Sequence, residues 1–114
     1  MWRKAGALEL YAYFPTGTDT KYGESFLVPN FTFKKGQKYT ISQHIKLNDI
    51  EQANGEFSVS VNGKEMLKKT GVTFRLSEDV TISDVIFATF FGWNTADFAT
   101  PVDTNIVFWN FEVR

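Results

Sequence analysis

Apolar and polar residues alternate along most of the chain with the two-residue period of β-strands, and no segment shows helical periodicity. The alternation is strict over residues 7–14, which we predict to form a strand. Its apolar residues share one face, and Glu9, Tyr11 and Tyr13 share the other. At a rise of about 3.3 Å per residue, the two tyrosines are expected about 7 Å apart on the same side.

The same period predicts further strands, separated by turns rich in Gly, Asn, Asp and Pro. Pro29-Asn30 interrupts one of them and indicates a sheet edge or a bulge, whereas Asn62-Gly63 predicts a type I′ hairpin turn. A long apolar run in residues 85–91 suggests a strand buried on both faces. The predicted strands are residues 7–14, 25–33, 38–47, 57–61, 64–67, 72–76, 80–91 and 105–113. This pattern predicts an all-β fold, an antiparallel β-sandwich or jelly roll.

Length and composition limit the number of domains and the kinds of partner that we expect for this protein. The chain has 114 residues, which suits a single domain over residues 1–114, and twelve of them are phenylalanine. The net charge is −1 with acids and bases interspersed, so nucleic acid is not an expected partner. No apolar run is long enough to span a membrane, and no signal peptide is visible at the start.

Several kinds of catalytic or cofactor site are excluded by residue content. One histidine and no cysteine rule out a His/Cys metal cluster, and neither a Gly-x-Ser-x-Gly motif nor a phosphate-binding glycine loop occurs. We therefore predict no metal and no cofactor. Glu9, Tyr11 and Tyr13 could form a sugar platform or an acid–base pair, but Tyr is also common on a partly exposed sheet face.

A second set of candidates lies further along the chain. Gln43, His44 and Lys46 fall in the predicted strand 38–47, with His44 and Lys46 on its polar face and Gln43 on the other. The alternative is that these are ordinary surface residues. Trp93 lies in a loop after a strand, where an aromatic ring can stack on a sugar face, or it belongs to the core and its rim.

Several short motifs occur in a fixed order along nearly the whole chain. They are Met1-Trp2-Arg3, Glu9-Leu10-Tyr11-Ala12-Tyr13, Lys21-Tyr22-Gly23-Glu24-Ser25, residues 36–48, residues 55–64, Thr89-Phe90-Phe91-Gly92 and Phe108-Trp109-Asn110-Phe111. This series resembles the alginate lyases of polysaccharide lyase family fourteen, with relatives among the glucuronan lyases. Each motif alone is weak, but their order and spacing together are fairly specific.

The resemblance implies a jelly roll whose concave groove binds an acidic polysaccharide and cleaves it by β-elimination. The family's paired catalytic tyrosines fall on Tyr11 and Tyr13. Glu9, Gln43, His44, Lys46 and Trp93 are then the candidates for substrate binding. The resemblance is compatible with secretion, but the sequence itself assigns no compartment.

One departure from the family bears on activity. The lysine and the Ser-x-Arg pair that the family takes from earlier strands would fall before Met1. We therefore expect a truncated jelly roll, completed by a missing N-terminal segment, by a partner chain or by a homo-oligomer. Three functions stay open: a polyuronate lyase, a non-catalytic carbohydrate-binding module, and a structural or assembly subunit.

Overall fold

A computed structural model of the chain describes residues 6–15, 22–89, 99 and 101–114. The chain forms two compact units, Met1–Ile82 and Ser83–Arg114. The described residues contain five strands and no α-helix: β1 (Ala7–Ala12), β2 (Glu24–Thr32), β3 (Ile41–Lys46), β4 (Gly55–Val61) and β5 (Lys64–Val72). All neighbouring strands run antiparallel. The predicted all-β, antiparallel fold class is therefore confirmed.

Strands β1 and β2 form a two-stranded sheet with an irregular register. Ala7 pairs with Thr32, but Glu9 pairs with Leu27, so β2 contains extra residues at this point. Asn30 lies in the extra segment and has a positive φ of 54°. Pro29-Asn30, predicted to mark a sheet edge or a bulge, thus lies in a bulge, because proline lacks the N–H that a regular ladder would use.

Strands β3, β4 and β5 form a three-stranded antiparallel meander. Asn62 and Gly63 join β4 to β5 with φ values of 51° and 78°. A type I′ turn requires positive φ at both central residues, which Asn and Gly tolerate. The Asn62 side chain also accepts a hydrogen bond from the backbone N–H of Thr40, at 2.9 Å, and so attaches the segment before β3 to the turn.

The two sheets pack against each other through their apolar faces. Leu8 and Val28 of the first sheet form a buried cluster with Val59 and Val61 of the second. Nearby, aromatic rings of β2 and β4 meet edge to face with their centroids 5.0 Å apart. Two antiparallel sheets with a shared apolar core are consistent with the predicted β-sandwich; the jelly-roll connectivity stays a prediction.

The prediction of a strand over residues 72–76 is wrong. Val72 is the last residue of β5, and residues 73–76 are not in a strand. The side chain of Asn48 explains this result. Its Oδ1 accepts hydrogen bonds from the N–H groups of Phe74 and Arg75, at 2.8 and 3.0 Å, and its Nδ2 donates to the carbonyl of Arg75. These backbone groups bind a buried side chain rather than a neighbouring strand.

The predicted strands 80–91 and 105–113 are also absent wherever the structure describes them. The strand containing Ile86 was expected to be covered on both of its faces, but Ile86 is 85% exposed. Asn110 has a positive φ of 54°, which interrupts an extended backbone. Within the second unit, the ring of Phe87 instead contacts the rings of Phe108 and Phe111, at 4.7 and 4.6 Å between centroids.

Candidate functional site

Tyr11 and Tyr13 lie together on the outer face of the first sheet. Leu8 and Leu10 of β1 face the core. Because successive side chains of a strand point to opposite faces, the rings of Tyr11 and Tyr13 point away from the core. The ring centroids are 5.3 Å apart and the ring planes meet at 81°, an edge-to-face contact. Tyr11 is half-buried and Tyr13 is 68% exposed. One phenol of the pair is thus held by its surroundings and the other is accessible to a large ligand.

Gly23, just before β2, supports the ring of Tyr11. A β-carbon at this position would lie 2.6 Å from Cε1 of Tyr11 and 2.6 Å from the backbone oxygen of Ala12. Only a residue without a side chain fits this space. Gly23 was not among the candidates from sequence; the available signal was a glycine directly before a strand that pairs with the tyrosine strand.

The two phenols do not ionise independently. The pKa of Tyr13 is raised above its ordinary value of 10.0, chiefly because a negative charge on Tyr11 opposes a second charge beside it. Desolvation and a side-chain hydrogen bond with Tyr11 act in the same direction. Tyr13 is therefore held in its neutral, proton-donating form.

Glu9 precedes the tyrosines on the same strand face but is only 5% exposed. It pairs with Leu27 in the register of β1 and β2. Its carboxylate thus lies below the surface on which Tyr13 is exposed. Direct binding of substrate by Glu9 stays a prediction.

His44 and Lys46 lie on the polar outer face of the second sheet, around Glu56. The Nε2 of His44 is 3.6 Å from one Glu56 oxygen, and the Nζ of Lys68 is 3.2 Å from the other. A hydrogen bond from Lys68 is the largest cause that lowers the pKa of Glu56. Desolvation opposes it, and the charges of Lys68, Lys46 and His44 lower the pKa further. These basic side chains already surround a carboxylate of the protein itself.

The predicted site residues therefore fall on separate surfaces. The sheets pack by their inner faces, so the tyrosine pair and the pair His44 and Lys46 face outward from different sheets. Gln43 is opposite Val59 in the register of β3 and β4, on the other face from His44, and is exposed. Trp93 lies outside the described residues.

Two observations concern metals and membranes. Among the residues that the structure describes, no group of three or more His, Asp or Glu side chains is arranged to hold a metal ion. Over the same ranges, no helix has the length and apolar character needed to cross a membrane.

Fold and site together define an all-β protein that displays a phenol pair on a sheet surface. The family model Polysaccharide lyase 14 matches residues 1–111, and the chain belongs to this family. The family resemblance of the sequence motifs is thereby confirmed. Searches of curated proteins and of solved structures find no match to the chain.

Proposed function

We propose that this polysaccharide-lyase-like protein cleaves a uronic-acid polysaccharide, alginate or glucuronan, by β-elimination at Tyr11 and Tyr13. The observation that carries the proposal is the contact of the two phenols, with Tyr13 exposed and its pKa raised. Membership of the lyase family supports the reaction type. The choice between alginate and glucuronan is left to the assay below.

The reaction needs a base and an acid on one substrate residue. The base removes the proton from the carbon next to the carboxyl group, and that electron pair forms a carbon–carbon double bond. The bond to the neighbouring sugar's oxygen breaks, and the acid protonates this oxygen. Two adjacent phenols can supply both functions if one is ionised while the other keeps its proton.

The raised pKa of Tyr13 indicates how the roles divide. Because a charged Tyr11 raises the pKa of Tyr13, Tyr13 keeps its proton while Tyr11 is ionised. Tyr11 phenolate then accepts the carbon-bound proton, and neutral Tyr13 donates to the departing oxygen. A proton passed from Tyr11 to Tyr13 through their hydrogen bond restores the starting state.

A non-catalytic carbohydrate-binding module is the second candidate, and one observation favours it. The groups that act on Tyr13, which is in contact with Tyr11, include no cation among the described residues, so nothing recorded beside the pair favours a phenolate. A phenolate base needs a positive neighbour, and His44 and Lys46 lie on the other sheet beside Glu56. The exposed ring of Tyr13, beside the half-buried Tyr11, would still provide a surface for a sugar ring.

The test is the ultraviolet absorbance of the unsaturated uronate product, followed over time with alginate, glucuronan and a neutral polysaccharide. We expect product from a polyuronate only, and a loss of about 10²–10⁴-fold in kcat for Tyr13→Phe. Tyr39→Phe is the matched control, because its hydroxyl bonds to Lys34 and Gln37 away from the pair. Binding of a polyuronate without product at any pH would support the carbohydrate-binding module instead.

A further inference from the structure

A pocket of about 260 Å³ opens within the first unit, where the ends of β1 and β2 meet the end of β5. The residues that line it include Phe14, Glu24, Phe26, Lys69, Gly71 and Thr73. Its residues are distinct from the tyrosine pair: Phe14 follows Tyr13 in the chain, but its ring packs inward on Phe26, at 6.2 Å between centroids.

Lys69 occupies a position where the strand pattern calls for an apolar residue. It is opposite Phe57 in the register of β4 and β5, so it belongs to the inner face of the sheet, although the residue is exposed. Its ammonium group is 5.4 Å from the centroid of the Phe26 ring. Among the residues that the structure describes, the contact of the Lys69 ammonium is with this ring.

The next lysine in the chain provides a contrast. Lys68 points to the opposite face of the same strand, where its ammonium forms an ion pair with Glu56 at 3.2 Å. The carboxylate of Glu24 lines the same pocket as Lys69, but no ion pair joins them among the described residues. Lys69 therefore presents a positive charge, backed by an aromatic ring, to a space that a ligand can enter.

The lining suits one class of ligand, a sugar acid. Phenylalanine rings pack on the apolar face of a sugar, and a lysine ammonium forms a strong, charge-assisted hydrogen bond with a carboxylate. The carboxylate of Glu24 can accept hydrogen bonds from sugar hydroxyls. Pockets for drug-sized ligands begin at about 300 Å³, so a pocket of about 260 Å³ accommodates one sugar unit rather than several.

We propose that this pocket is a second carbohydrate site, which binds a single uronic acid residue with its carboxylate on Lys69 and its ring against Phe14 and Phe26. The choice of a uronic acid among organic anions rests on the proposed function, but the site does not use the tyrosine pair. It would hold one acidic residue of a polymer, or the end of a chain, apart from the point of cleavage.

The test compares glucuronate with glucose, which differ only in the carboxyl group, by NMR titration of the full chain. We expect saturable shifts at the backbone amides of residues 69–73 with glucuronate and binding at least about tenfold weaker for glucose. Lys69→Gln should abolish this preference and Lys69→Arg should retain it. Lys64→Gln removes the same charge from an exposed position at the start of β5 and should bind glucuronate as the unmodified chain does.

Two further variants make the result decisive. Glu24→Gln removes a negative charge from the pocket and should strengthen glucuronate binding, which also tests the site if Lys69→Gln does not fold. Tyr13→Phe should lose product formation and keep glucuronate binding, so failure of the lyase proposal is distinguishable from failure of this one. Equal affinity for glucuronate and glucose, or glucuronate shifts unaffected by Lys69→Gln, would overturn the proposal.

Discussion

Gly23 touches the ring of Tyr11 so closely that a β-carbon on Gly23 would lie 2.6 Å from the ring's Cε1 atom. The backbone oxygen of Ala12 is equally close to that position. The orientation of the half-buried phenol is thus set by the segment before β2 as well as by β1. Any side chain at position 23 must move the ring, the strand or both.

Gly23→Ala should therefore lower both stability and activity. We expect a loss of about 1–3 kcal/mol in the free energy of unfolding, the usual cost of overpacking, together with a lower kcat as the phenols separate. Urea denaturation and the product assay measure the two effects. Gly36→Ala is the comparison: it has a positive φ of 77° but no atom within 4 Å of the added carbon, so it should cost stability and leave kcat unchanged. Normal activity in Gly23→Ala would contradict the supporting role.

Tyr11→Phe should lower the pKa of Tyr13 toward 10.0, because its largest cause, the charge on Tyr11, and their hydrogen bond are both removed. Tyrosinate absorbance during an alkaline titration, or NMR of the ring carbon bonded to oxygen, measures this shift. A raised folded-state pKa contributes stability that is present below the unfolded value near 10.0 and is lost as the pH rises through the folded value. The variant should lose that part of the alkaline pH dependence. An unchanged pKa of Tyr13 would argue against coupling of the phenols.

Lys68→Gln should raise the pKa of Glu56 toward its ordinary value of 4.5, since the hydrogen bond from Lys68 is the largest cause that lowers it. NMR titration of the Glu56 carboxyl carbon measures the change. The pKa of Glu56 is lower in the folded state than in the unfolded state. The stability that results is present above the pKa of the unfolded state, and it is lost as the pH falls through the pKa of the folded state. The variant should therefore show a weaker loss of stability on acidification. Lys64→Gln provides the control for a change in net charge alone.

Asn48→Ala should cost at least about 2 kcal/mol in the free energy of unfolding, because it leaves the backbone groups of Phe74 and Arg75 without their partner in a buried position. Asn48 is 1% exposed. Asn54→Ala removes a similar amide from an exposed loop, where it bonds to Asp49, and should cost no more than about 1 kcal/mol. Equal losses in thermal or urea denaturation would show that burial of the amide is not the deciding factor.

The features predicted correctly from sequence are local ones. The turn at Asn62-Gly63 follows from residues that accept positive φ, and the bulge follows from Pro29-Asn30. The position of Tyr11 and Tyr13 on one strand face follows from the two-residue period, although their edge-to-face ring contact was not predicted. In each case the deciding interactions lie within a few residues of one another.

The missed features depend on partners distant in the sequence. Nothing in strand alternation indicates that His44 faces outward from a different sheet than Tyr13, or that the side chain of Asn48 bonds to the backbone at Phe74. The contact of the exposed Lys69 with the ring of Phe26, which belongs to the other sheet, is likewise not visible in the pattern. Such positions are set by how sheets pack, which a period-two pattern does not encode.

The connections between strands also have a consequence for the order in which the chain folds. Two residues join β4 to β5, whereas eleven residues, 13–23, separate β1 from β2. Short loops close at a lower entropic cost and favour fast pairing, so we expect the meander to form first. Pulse-labelled hydrogen exchange should protect the amides of β4 and β5 before those of β1. The phenol pair, which needs Gly23 brought back against β1, would then be completed late, and a misfolded intermediate would carry a formed meander without a working tyrosine surface.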